Sequence, residues 1–339
     1  MTTLVEHETL STAQAINRAL HDAMAEDPTV LVLGEDVGAL GGVFRVTDGL
    51  TAKFGEGRCF DTPLAEAGIA GFATGLAMNG MRPVIEMQFD AFAYPAFEQV
   101  VSHIAKMRNR TRGCVELPMV IRIPYAGGIG GVEHHCDSSE AYYAHTPGLH
   151  VVAPSNPADA YSLLREAIAS PDPVVFLEPK KLYWAKGQVA LGGGGDVRSG
   201  GEPGIGTAVV RRHGTDATLI AYGPAVPIAI EAAEEAARSG RSLQVVDLRS
   251  IVPFDDATVC AAVESTGRAV VIAEAAGFAS VASEIAARVS ERCFHSLSAP
   301  VRRVGGFDIP YPPPALEHFQ LPSVDRILDA VDDLQWEDA

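Results

Sequence analysis

Apolar residues recur at helical spacing between Ser11 and Glu26, at Ala15, Ile16, Ala19, Leu20, Ala23 and Met24, predicting an amphipathic helix that Asp27-Pro28 ends. Val30 to Leu33 is an unbroken apolar run and predicts a short buried strand. Arg82 to Met87, Pro118 to Ile123, His150 to Pro154 and Val174 to Glu178 read the same way, with helices predicted over Ala96 to Arg110 and over Asn156 to Ala169. Strands alternating with helices at this spacing predict an α/β fold with a mainly parallel sheet. From Leu191 to Gly206 the chain is glycine-rich and aperiodic, which marks a linker between residues 1–190 and residues 207–339. The second part repeats the pattern: strands over Ala217 to Tyr222, Leu243 to Asp247, Ala269 to Ala273 and Pro300 to Val304, and helices over Ala225 to Ser239, Asp255 to Val263 and Val281 to Arg292.

One helix stands apart. Thr62 is a capping residue type, Pro63 suits a first helical position and Gly80 a stop, so a helix is predicted between them. It is apolar on every face and carries no charge between Glu66 and Arg82, which predicts burial all round. Ala67, Gly71 and Gly75 form a small-residue stripe that lets a second backbone approach closely. Glu66 is either a solvent-edge glutamate favoured by the positive helix end or a carboxylate that must be neutralised, paired or bound.

Composition narrows the partners. The 339 residues carry 26 Lys and Arg against 43 Asp and Glu, and a net charge of −17 argues against nucleic acid and anionic membranes. Five scattered cysteines without a Cys-x-x-Cys suggest neither a disulfide framework nor a zinc site, hence a reducing compartment. Met1 to Glu8 is polar and acidic and no apolar run reaches membrane-spanning length, so a cytoplasmic location is expected. The acidic end, with Asp325, Asp329, Asp332, Asp333, Glu337 and Asp338, reads as a solvated face or a landing site for a basic partner.

Candidate chemistry gathers after strands, where open α/β sheets bind ligands. Glu35 and Asp36 follow the Val30 strand, and Gln88, Phe89 and Phe92 sit at the corner after the Arg82 strand. The glycines of Gly127 to Gly131 lack the spacing of a phosphate loop or dinucleotide fingerprint. His134, His135 and Cys136 are consecutive, so in an extended segment they do not share one ion. A histidine on such a loop suits proton transfer or structural hydrogen bonding. The second part shows no catalytic residue by this reading.

Taken together, Gly34-Glu35-Asp36-Val37, Asp61-Thr62-Pro63-Leu64-Ala65-Glu66, Glu86-Met87-Gln88-Phe89, Gly128-Ile129-Gly130-Gly131 and Glu133-His134-His135 resemble the β subunits of the decarboxylase component of 2-oxo acid dehydrogenases. These are thiamine-diphosphate enzymes of the transketolase-like superfamily. The likeness runs from about residue 8 to about residue 335 and takes in Val152-Ala153-Pro154-Ser155-Asn156-Pro157, Leu177-Glu178-Pro179-Lys180 and Val246-Asp247-Leu248-Arg249. It implies a pyrimidine-binding domain followed by a transketolase C-terminal-like domain. It implies that Glu66 holds N1′ of the cofactor's aminopyrimidine, that Phe92 contacts that ring, that Leu64 and Gln88 line the pocket, and that Glu35 lies in a tunnel behind it. It also implies that His135 helps pass the acyl group to a lipoyl arm.

The Gly-Asp-Gly stretch by which such enzymes hold Mg²⁺ and the diphosphate is absent here. The resemblance therefore implies a separate α subunit carrying the Mg²⁺ site, two α and two β chains with the cofactor between them, and a lipoyl-bearing acyltransferase docked on the C-terminal domain. Cys136 stands where relatives usually have serine, and Ser170 where many have an acid near a potassium site, for which the carbonyls of Ala167, Ile168 and Asp172 are candidate ligands. Residues 86–97 look most like branched-chain 2-oxo acid dehydrogenases, acting on 3-methyl-2-oxobutanoate and its relatives. Pyruvate and acetoin enzymes are the alternatives, since a methylene is discriminated by only about 1–3 kcal/mol. A non-catalytic assembly subunit is the alternative of another class, and the carboxyl half of a transketolase or deoxyxylulose-phosphate synthase would need sugar-phosphate contacts that the sequence does not display.

Overall fold

The computed structural model describes residues 6–192 and 204–334, so the centre of the glycine-rich linker, with Glu337 and Asp338, lies outside the described residues. A seven-stranded sheet runs in the order Ser250–Val252, His150–Val152, Val174–Pro179, Val120–Tyr125, Arg82–Glu86, Val30–Gly34, Cys59–Asp61. All neighbours are parallel except the first pair, and the inner strands are buried over all or nearly all of their length, which is why they read as mainly apolar runs. A five-stranded sheet runs Arg302–Gly306, Ala269–Ala276, Ala217–Ala221, Leu243–Asp247, Val209–Arg212, with only the last strand antiparallel. Glu6–Ser11 and Lys186–Leu191 pair as a separate antiparallel ribbon.

Helices cover both sheets. Thr12–Glu26 and Pro157–Ala169 bury their stripes on one face of the large sheet, Ile16 and Leu20 meeting Leu163 and Leu164. Ser11 caps the first through a reciprocal box with Gln14, and Asn156 caps the second by accepting from the Asp159 amide. Ala225–Arg238 and Val324–Asp332 cover the outer face of the small sheet. The remaining faces of the two sheets share one continuous core, in which Ile123 and Tyr125 belong with Tyr222, Val271 and Ile285. The terminal acids mostly lie on the Val324–Asp332 helix, whose Ile327 and Val331 point inward, and Asp333 pairs with Arg302.

Charge also ties the halves together. The buried Arg249 donates from Nε to Asp159 Oδ1 at 2.8 Å, and Arg211 bridges Asp159 and Asp247. Ser155 Oγ donates to Asp247 Oδ2 at 2.6 Å. The stretches Val152 to Pro157 and Val246 to Arg249, noted for their resemblance, are therefore the two sides of this junction.

The apolar rod departs from expectation at both its start and its burial. The helix runs Glu66–Met78 with Ala65 at its cap, because the Thr62 amide continues the sheet's hydrogen bonding by donating to the Gly34 carbonyl at 2.9 Å. Only Ile69, Ala70, Ala73 and Ala77 are buried; Leu64 is 80% exposed, Phe72 53% and Met78 52%. The small-residue stripe of Ala67, Gly71 and Gly75 faces this uncovered side. The rod holds more apolar surface than this chain alone covers. The helix predicted over Ala96 to Arg110 is broken: Tyr94–Glu98 is α-helical, Gln99–His103 a π turn, Ile104–Lys106 a 3₁₀ turn and Met107–Arg110 α-helical again. Gly148 packs against this break so closely that a Cβ there would lie 1.9 Å from the Ala105 carbonyl oxygen.

Beneath the carboxyl edge of the large sheet lies a buried ion network. Arg122 donates from Nε and Nη2 to both oxygens of Glu178, at 2.6 and 3.0 Å, and from Nη1 to Glu86 at 2.6 Å. Tyr183 completes it with a hydroxyl bond to Glu178 at 2.6 Å. Gly42, at φ +80°, rests above, where a Cβ would meet Glu86 Oε1 at 3.3 Å, so the loop after the Val30 strand is seated on the network.

Candidate functional site

Parallel register brings the carboxyl ends of neighbouring strands level: Gly34 opposite Glu86 and Glu86 opposite Arg122. The next residues of each strand, Glu35 and Asp36 on one and Gln88 on the other, therefore meet above the sheet. Gln88 Nε2 donates to Asp36 Oδ2 at 2.9 Å. Asp36 sits at φ +59°, a left-handed turn that aspartate tolerates and that carries the chain from the strand into the glycine loop. Glu35 is 4% exposed, and among the described residues its Oε1 has no hydrogen-bond partner. Burial first, then the charges of Glu66 and Asp36, push its pKa up to about 7.

Glu66 thus faces the same acidic turn from the first turn of its helix. It is half-buried, and its carboxylate makes no hydrogen bond or ion pair among the described residues. Leu64 projects outward, so within this chain it does not line the pocket with Gln88.

The second half of the site is aromatic. Phe89 and Phe92 meet edge to face at 5.7 Å between ring centres, and His135 lies against both, at 4.3 Å from Phe89 and 5.6 Å from Phe92. His135 occupies a 3₁₀ turn, Glu133–His135, in the loop after the Val120–Tyr125 strand, and its Nδ1 is buried without a partner. Burial, then the charges of His134 and Lys180, lower its pKa, so it stands as a neutral imidazole at neutral pH. Cys136 is buried behind it with its thiol pushed up to about 11, chiefly by burial, which keeps it a protonated packing group. The histidine pair and cysteine form no metal centre: among the described residues no three His, Cys, Asp or Glu side chains converge on one point.

Sequence reasoning missed a layer of buried charge beneath this loop. Asp90, fully buried, accepts from the Ser139 amide at 2.9 Å and from its hydroxyl, and Glu140 accepts from Tyr222 at 2.8 Å. Lys180 is buried among Asp90, Cys136, Glu274 and Asp137, and desolvation lowers its pKa against their pull. From the second sheet, Glu274 accepts from the Gly127 amide; burial raises its pKa to about 7. A charged residue inside the apolar strand Ala269–Ala276 was the available signal. The candidate cation ligands are already engaged: Arg82 Nη1 donates to the Ile168 carbonyl at 2.9 Å, and the Asp172 carbonyl accepts from Ser170 Oγ at 3.0 Å. A potassium ion there would compete with the Arg82 guanidinium.

Chemically, the arrangement suits a flat heterocycle: an aromatic wall, an amide at its edge and an unsatisfied carboxylate able to exchange a proton with a ring nitrogen. It also predicts a pH effect. Because the folded state raises the Glu35 pKa, it retains that proton to higher pH than the unfolded chain, so Glu35 subtracts stability progressively from about pH 4.5 to pH 7. Glu35→Gln is expected to reduce the loss of melting temperature between pH 5 and pH 8; identical losses for both proteins would refute it.

The family described as transketolase, pyrimidine binding domain, matches residues 8–185, and transketolase, C-terminal domain, matches residues 206–327. The pyruvate dehydrogenase E1 component subunit beta of Leifsonia xyli subsp. xyli is 55% identical over 96% of this chain and 94% of its own. The 3-methyl-2-oxobutanoate dehydrogenase subunit beta of Mycobacterium tuberculosis is 54% identical over 96% of this chain and 92% of its own. Among solved structures, an inactive β4 tetramer of a split-gene transketolase superposes with a TM-score of 0.75 at 24% identity, covering 96% of this chain and 98% of that one, a likeness of fold.

Proposed function

This chain belongs to the family of 2-oxo acid dehydrogenase β subunits built on transketolase pyrimidine-binding and C-terminal domains, and from that premise we propose that it binds the aminopyrimidine end of thiamine diphosphate through Glu66. The observation that carries this reading is the half-buried, unpartnered Glu66 carboxylate beside an uncovered apolar helix face. An α subunit covering that face would bury Leu64, Phe72 and Met78, meet the Ala67, Gly71 and Gly75 stripe, and supply the Mg²⁺ and diphosphate ligands.

Thiamine diphosphate, when bound, supplies the carbon nucleophile that takes up a 2-oxo acid and loses its carboxylate. Glu66 holds a proton at N1′ of the aminopyrimidine, in surroundings that strengthen the bond as water is excluded. Phe92 would pack on the ring and Gln88 would lie toward its edge. Glu35, with its pKa raised to about 7 by burial and by the nearby Glu66 and Asp36, is neutral for part of the time at neutral pH. His135, neutral, is poised to exchange a proton as the acyl group passes to a lipoyl arm.

For the substrate we propose 3-methyl-2-oxobutanoate and related branched acids, with pyruvate as the competing reading, since relatives of both kinds are similar at 54% and 55% identity. The acyltransferase that presents the lipoyl arm docks on the C-terminal domain in this reading. The test is turnover of the complex reconstituted with its α subunit, using a lipoyl domain as acceptor. A higher kcat/KM for 3-methyl-2-oxobutanoate than for pyruvate is expected; the reverse order overturns the substrate assignment while leaving the family intact.

A further inference from the structure

The amides of the glycine loop that leads to His135 are not open to an outside anion, because carboxylates from the second sheet's domain occupy them. Gly128 N–H donates to Glu317 Oε1 at 2.8 Å and Gly130 N–H to Glu317 Oε2 at 3.1 Å, while Gly127 N–H donates to Glu274. Tyr311 donates its hydroxyl to Glu317 Oε1 at 2.6 Å and lies over the loop so closely that a Cβ on Gly127 would sit 1.9 Å from its oxygen. Gly128 and Gly130, at φ +82° and +68°, turn successive amides toward the same side, the concave arrangement that receives anions. Neither Glu317 nor Tyr311 touches the aromatic wall or the acidic turn, yet five residues past Gly130 the same loop delivers His135.

We propose that Glu317 and Tyr311 form a latch by which the C-terminal domain fixes the His135 loop, making them positioning residues for acyl transfer to the lipoyl arm. The assignment of acyl transfer to His135 rests on the function proposed above; the latch itself rests on the contacts. Charge-assisted bonds to two loop amides hold the loop at one setting, and their loss lets it sample others without touching the groups around Glu66.

The experiment uses the complex assembled with the α subunit and compares wild type with Glu317→Ala, Glu317→Gln and Tyr311→Phe. Three quantities are read: hydrogen exchange of the 127–136 amides, decarboxylation coupled to a small redox dye, and reductive acylation of a lipoyl domain. In Glu317→Ala, exchange at Gly128 and Gly130 is expected to speed up and lipoyl-linked kcat to fall, each about tenfold or more, as for loss of a charge-assisted hydrogen bond, with dye-linked kcat unchanged. Glu317→Gln, which keeps one acceptor oxygen, should fall between, and Tyr311→Phe, which keeps the ring, should show the smaller effect. Unchanged exchange in Glu317→Ala, or equal losses in both activities, overturns the latch. A wild-type complex that turns over no 2-oxo acid with either acceptor instead overturns the functional reading, and the exchange result still decides the latch.

Discussion

Glu66→Gln, in the complex assembled with its α subunit, is expected to lower kcat for 2-oxo acid decarboxylation by about 10²–10⁴-fold, the range of a lost general acid–base partner. Glutamine has nearly the same shape, so the helix start and the seam around it persist. Its amide can donate a hydrogen bond to a ring nitrogen but is far too weak an acid to transfer a proton to it, and the loss is therefore expected to fall on kcat with dye and lipoyl acceptors alike. That distinguishes Glu66 from the latch residues, whose effect is confined to the lipoyl-linked rate. Steady-state rates with both acceptors, with analytical ultracentrifugation to show that assembly is unchanged, make the check. Activity within a few-fold of wild type would support the assembly-subunit alternative.

Arg122→Met strands two fully enclosed carboxylates. Glu86 and Glu178 are buried and lose the Arg122 guanidinium, and among the described residues Tyr183 is then the one side-chain donor left to the pair. Breaking a buried pair from one side costs about 3–5 kcal/mol. At roughly 2–4 °C per kcal/mol the melting temperature drops by about 10 °C. Because Gly42 rests on Glu86, the Glu35 turn is expected to loosen as well. Replacing Glu86 and Glu178 by glutamine in the same variant should recover much of the loss, since no unpaired charge then stays buried. Calorimetry of the two variants checks this; a triple variant no more stable than Arg122→Met would show that packing, not charge, dominates.

How much of this was legible beforehand depended on whether the deciding contact was local. The inner strands were legible because a sheet covered on both faces makes most of their positions apolar, the charged exceptions Glu86, Arg122 and Glu178 being paired with one another. Thr62-Pro63 misled because both residues suit a helix start; the competing bond, from the Thr62 amide to Gly34, joins a strand 28 residues upstream. The short strands Cys59–Asp61 and Ser250–Val252 are three residues each, too short for any period to emerge. Motifs singled out Glu66, Gln88, Phe92 and His135, whose roles remain proposals; the structure sets Glu66 and Gln88 about the acidic turn and Phe92 with His135 on the aromatic wall. Leu64 was placed in the pocket on the same grounds, and in the structure its side chain is largely exposed, open to whatever covers that face. Glu274 and Glu317 stayed hidden because each meets the loop across 147 and 189 residues of sequence, and nothing in their neighbours announces it.

The strand Ser250–Val252 closes the edge of a sheet whose other members are complete by Pro179. On a ribosome, that edge waits for its partner while about seventy further residues are made, or about 4–14 s at ordinary synthesis rates. During that interval His150–Val152 offers unpaired backbone groups to any passing strand. Nascent chains stalled before residue 250 should therefore be the species that cellular holdases capture, and gene truncations at the glycine-rich linker should yield insoluble product even though each half has a sheet of its own.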